Sequence, residues 1–304
     1  HTINLLSALP VISREVSIDA TTDDSFTQNG SRPAIILDGQ DLNANGLVLG
    51  DEADGSSIRG LVIRNFGQHG ILVSGGNVNA TIIGNYIGQL TETGAAAATG
   101  LGNGASGVAV QGFNTRIGSI DPSHRNVIAG NGVDGIYVNG SGAGLVIQGN
   151  YIGTTATGTV ALPNQGHGIL MHNGTTAATI GGTAAGAGNL VSGNGGIGIV
   201  ALYDGVVATS NITIQGNRVG VDSSGTAALP NAGHGVAVLG ATNVRVGGSA
   251  AGAGNVISGN LNSGVVVEGS STGVTIRGNY IGLDQTGSVV LGNQESGIQL
   301  QGGS

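Results

Sequence analysis

The feature that most constrains this chain is an internal repeat. Gly-Asn-(Tyr/Arg)-(Ile/Val)-Gly begins at Gly84, Gly149, Gly216 and Gly278, at intervals of 65, 67 and 62 residues. Asn-(Val/Leu)-(Ile/Val)-(Ala/Ser)-Gly-Asn begins at Asn126, Asn189 and Asn255 with nearly the same period. Gly-Thr-Val-Ala-Leu-Pro-Asn at 158–164 returns almost unchanged at 225–231. A fixed period of this length is the mark of a repeat architecture, in which each unit buries its apolar face against the next.

Within one unit, Gly107 to Gly168, six runs rich in Val and Ile alternate with Gly, Asn and Ser: Val108-Ala-Val, Thr115-Arg-Ile, Asn126-Val-Ile, Ile136-Tyr-Val, Leu145-Val-Ile and Tyr151-Ile. Runs this short read as strands, and no helical periodicity competes with them. With 61 glycines in 304 residues, a helix would be weakened at every turn. Six strands per unit make two turns of three, and Gly70, Gly107, Gly135, Gly168, Gly198, Gly235, Gly264 and Gly297 mark successive turns. The expected fold is all-β: a single-stranded parallel β-helix, or β-solenoid, of about nine turns. Asn85, Asn150, Asn217 and Asn279 recur at one bend and are expected to stack as a hydrogen-bonded ladder.

Composition excludes several functions. All nine basic residues are arginine, so lysine-dependent Schiff-base, P-loop and general-base chemistry is ruled out. Seventeen acids give a net charge of −8, which argues against a nucleic-acid partner. No cysteine is present to form disulfides or thiolate zinc sites. No apolar run approaches the ~20 residues of a membrane span. Residues 1–54 hold nine acids against two arginines, and residues 55–304 hold eight against seven. The chain thus divides into acidic N-terminal turns (1–54) and regular repeats (55–304). It opens and stops inside strand-like runs, which reads as a segment of a longer protein.

Taken together, the repeats resemble those of the pectin-lyase-like superfamily. More narrowly, Gly149–Gly158 (GNYIGTTATG) and Gly181–Asn194 (GGTAAGAGNLVSGN) resemble repeats of very large secreted bacterial surface proteins, and residues 2–10 and 33–39 resemble their first turns. This resemblance implies a right-handed coil and an extracellular or cell-surface location. It leaves activity open, because the superfamily holds lyases, hydrolases, epimerases, adhesins and inert stalks.

Several candidate sites follow. Gly-His-Gly at His167 and His234 resembles a motif of β-helical polygalacturonases, but their Arg-Ile-Lys partner is absent and the motif recurs. Arg64, Arg116, Arg245 and Arg277 are candidate bases for a uronate lyase. Asp121-Pro122-Ser123-His124 approximates an alginate-epimerase motif without its second acid. Asp51, Glu52 and Asp54 offer oxygen ligands that suit calcium. Strand alternation turns Tyr86, Tyr151, Arg218 and Tyr280 outward as a column, roughly 9.6 Å apart, to receive a polysaccharide. The leading expectation is a non-catalytic rod or stalk contacting a glycan or cell-surface ligand, with no catalytic residue, resident metal or cofactor. The alternatives are a polysaccharide lyase or epimerase and an end-to-end self-assembling filament subunit.

Overall fold

A computed structural model describes residues 1–140 and 143–302. Their 28 strands form three sheets in which every named pair is parallel. Sheet I has ten strands, from Thr2–Asn4 to Tyr280–Ile281. Sheet II has nine, from Leu47–Leu49 to Ile298–Gln301, and sheet III has nine, from Ser17–Asp19 to Thr275–Arg277. The chain visits III, I and II in order and returns one rung higher, as in Thr81–Ile83, Tyr86–Gly88 and Val108–Val110. Parallel strands joined this way coil right-handedly. The chain is a right-handed parallel β-helix of about nine turns, and the eight marker glycines each precede a sheet II strand.

The interior explains the composition. Ile58, Ile82, Ile117, Ile147, Ile180, Ile214 and Val246 are paired in register along sheet III and fully buried. A branched aliphatic side chain at each inward site fills a narrow cross-section, and only Phe66 among the aromatics enters the main core. Glycine lies where backbone approaches backbone. At Gly118 (φ +74°) a Cβ would stand 2.1 Å from the Gln148 carbonyl oxygen of the next rung.

Asparagines run through two of the three corners between sheets. Between sheets III and I, Asn85, Asn126, Asn150, Asn189, Asn217, Asn255 and Asn279 form one ladder, each Nδ2 donating to the next Oδ1 at 2.8–3.2 Å. The expected column occupied alternate rungs; the observed one occupies every rung, because Asn126, Asn189 and Asn255 of the second repeat pattern fill the gaps. Between sheets I and II, Asn103, Asn131, Asn164, Asn194, Asn231, Asn260 and Asn293 form another, at 2.8–3.0 Å. Each long loop ends in an asparagine of this second ladder, which is why Leu-Pro-Asn recurs.

The two ends differ. At the first, Leu5, Leu9, Ile12 and Ile18 pack over the core and a short helix, α1 (Asp24–Gln28), lies nearby. At the other, Ile298 and Leu300 are 46% and 74% exposed.

Candidate functional site

The tyrosine–arginine column lies on the outer side of sheet I under a roof. Hairpin-like loops leave the sheet on alternate turns and close through antiparallel bridges such as Thr154 with Ala161 and Val221 with Ala228. The glycine of each loop packs on the column residue beneath it. A Cβ on Gly94, Gly158, Gly225 or Gly287 would lie 2.7–3.1 Å from Tyr86, Tyr151, Arg218 or Tyr280 respectively. The loops also bond to one another, Gly94 O accepting from Ala156 N, Gly158 O from Ser223 N and Gly225 O from Gln285 N, at 2.8–2.9 Å. Exposure therefore rises along the column. Tyr86 is buried, Tyr151 and Arg218 are half-buried, and Tyr280 is open to solvent.

Most other candidates join rung to rung. His167 Nδ1 accepts from Ile197 N at 3.0 Å and His234 Nδ1 from Ser263 N at 3.1 Å. His69 makes the same contact to Ser106 N. Each ring nitrogen accepts from a backbone amide one turn on, so each histidine links neighbouring turns. Asp51 and Asp54 accept from Gly76 N and Val78 N one turn on, while Glu52 is exposed. Asp121 caps a 3-10 turn, Pro122–His124, and His124 bonds to Ser119. Arg64 pairs with Asp38 at 3.1 Å. Arg116, Arg245 and Arg277 lie exposed on sheet III; Arg116 and Arg245 are four turns, roughly 19 Å, apart. No two of these arginines are brought together over a common acid.

A different group does converge, on the outer side of sheet II. Tyr137 stacks on His69 (centroids 6.3 Å apart, planes 11° apart) and meets His172 at 5.0 Å. His172 Nδ1 lies 3.2 Å from Asp204 Oδ2, and its Nε2 is buried with no partner among the described residues. Buried Asp134 accepts from His167 N at 2.7 Å. Burial pushes the Tyr137 hydroxyl up, and the Asp134 and Asp204 charges push it further. Burial also raises Asp134 and lowers His69 and His167. Asp204 is held below the usual carboxylate range by the Val206 amide and His172.

Sequence reading passed over this cluster, although a signal was present. Tyr137 and His172 sit two and four residues after the marker glycines Gly135 and Gly168, positions that alternation turns outward. Chemically the cluster is an aromatic platform with hydrogen-bonding edges. It contains no arginine, and among the described residues no three His, Asp or Glu side chains are placed to hold a metal.

No protein-family model matches the chain, and no curated protein matches it. Among solved structures, the A-module of the mannuronan C-5 epimerase AlgE4 from Azotobacter vinelandii is 19% identical, with a TM-score of 0.45 over 92% of this chain and 68% of that one. The Dettilon tailspike protein is 17% identical, with a TM-score of 0.48 over 99% of this chain and 61% of that one. The Streptococcus pneumoniae surface protein and adhesin PfbA is 12% identical, with a TM-score of 0.36 over 99% of this chain and 85% of that one. All are pectin-lyase-like parallel β-helix proteins. The fold of this chain stands on its own strand pairing.

Proposed function

We propose that this chain is a rigid, non-catalytic β-solenoid rod of an extracellular or cell-surface bacterial protein, and that it contacts glycans on the outer side of sheet II. One observation carries the reading. Both asparagine ladders run uninterrupted through the turn that carries Tyr137, so the coil is not remodelled where its polar side chains gather. Tyr137, flanked by His69 and His172, is an outward-facing aromatic side chain of the kind on which a sugar ring stacks. No described helix is long and apolar enough to cross a membrane.

A uronate lyase or epimerase is the second reading, favoured by the approach of Tyr137, His172 and Asp204. Such chemistry needs a base near neutral pKa and a cation to neutralise the sugar carboxylate. Here the tyrosine is shifted away from deprotonation and the adjacent charges are negative.

One experiment separates the two. Uronate polymers are incubated with the protein, with and without calcium, while unsaturated products and epimer composition are followed by absorbance and NMR. The expected result is no turnover, together with glycan binding that weakens about tenfold or more in Tyr137→Ala. Turnover abolished by Tyr137→Phe or His172→Ala would establish the enzyme instead.

A further inference from the structure

A second, unrepeated feature lies where the N-terminal cap meets sheet I. A partly open pocket of about 160 Å³ is lined by Phe26 and Arg32 of the cap, Tyr86 of sheet I, and Ser123 and Arg125 of the loop before Val127. Ser123 belongs to the Asp121–His124 segment that approximates an epimerase motif, and Arg125 directly follows it. The cap residues occur once in the sequence, so the cavity has no counterpart on other turns.

Its charge is unlike that of the whole chain. Neither Arg32 nor Arg125 forms an ion pair among the described residues. Arg32 donates through Nε and Nη2 to Asn29, and Arg125 donates through Nε to the Gly149 carbonyl, which fixes both guanidinium groups. Arg125 also lies 4.1 Å above the Tyr151 ring. Burial pushes the Tyr86 hydroxyl up, and both arginines act on it in the opposite sense. Two arginines without carboxylate partners and a tyrosine on which both act line one small space, with Phe26 and Val127 as its apolar wall. Fixed guanidinium donors of this kind match oxyanions in geometry as well as charge.

We infer that this cavity is an oxyanion-binding site, held by Arg32, Arg125 and the Tyr86 hydroxyl, for a carboxylate or sulfate group of the size carried by an acidic sugar. The site is on sheet I, away from Tyr137, and its failure would leave the reading of sheet II untouched. Sodium sulfate and sodium glucuronate, with glucose as the neutral control, are titrated into the full chain by calorimetry at constant ionic strength. Saturable binding of an anion, with affinity falling as salt rises, is expected. Saturation by both anions assigns the site to any small oxyanion; markedly tighter glucuronate assigns it to an acidic sugar. Arg32→Gln and Arg125→Gln should each weaken binding by about tenfold. Tyr86→Phe, which removes only a hydroxyl, should weaken it by a smaller factor with an unchanged melting temperature. Arg116→Gln on sheet III should have no effect. Absence of saturation by either anion, equal binding of glucose, or unchanged affinity in both arginine variants would overturn the assignment.

Discussion

Asn150→Ala tests whether the ladders hold the coil. Asn150 is fully buried. Its Oδ1 accepts from Asn126 N at 3.2 Å and from Asn126 Nδ2 at 2.9 Å, and its Nδ2 donates to Ile117 O, Gln148 O and Asn189 Oδ1 at 2.8–3.0 Å. Truncation leaves the buried Asn126 backbone N–H with no partner and one Asn126 Nδ2 hydrogen unused. An orphaned buried donor costs about 1–3 kcal/mol, and each further lost bond about 0.5–1.5 kcal/mol. The expected loss is therefore roughly 3–5 kcal/mol. Asn150→Asp should be worse at pH 7 than at pH 4, since a carboxylate would face oxygens that now accept hydrogen bonds. Denaturant unfolding with the fitted slope monitored is the assay, because a coil of stacked turns can lose one section before the rest. Asn262→Ala is the control: that side chain makes no hydrogen bond among the described residues and should change stability by no more than about 0.5 kcal/mol. If Asn150→Ala matched the control, the ladder would be a consequence of stacking rather than a cause of it.

Three further outcomes are expected. Burial lowers His69 and His167, so the unfolded chain takes up their protons first; stability should be full above the unfolded pKa of about 6.5 and be lost as pH falls through the lower folded values. Denaturant midpoints between pH 7.5 and 5 check this, and the fall should shrink in His69→Gln plus His167→Gln. Gly118→Ala and Gly100→Ala carry similar positive φ, but only Gly118 has backbone in the way, so the first should cost about 2–5 kcal/mol and the second about 1 kcal/mol by thermal unfolding. If the bare rung at Ile298 and Leu300 mediates self-association, light scattering should rise with concentration and Leu300→Glu should suppress it; a monomer at all concentrations refutes that route.

Much of the coil was legible because it is local and periodic. A six-residue pattern beginning and ending in asparagine sets one residue in each ladder, and Ile or Val between them points inward. What was not legible depends on neighbours far apart in the chain. His69, Tyr137, His172 and Asp204 meet only because strand register stacks the five consecutive turns that they span. The roof over the tyrosines was equally hidden: alternation gives the direction of Tyr86 but not that a loop glycine rests on its ring. Arg32 and Arg125 belong to segments that break the repeat, where periodicity carries no information.

The bonded loops have a consequence for how such a chain can lengthen or shorten. Excising a single rung would keep every asparagine in line yet bring two overhangs onto adjacent levels, about 4.8 Å apart, where they now enjoy twice that clearance. Excising a pair would restore the overlap. Insertions and losses in this molecule should therefore be tolerated in even steps, which makes the couplet, rather than the turn, its unit of growth.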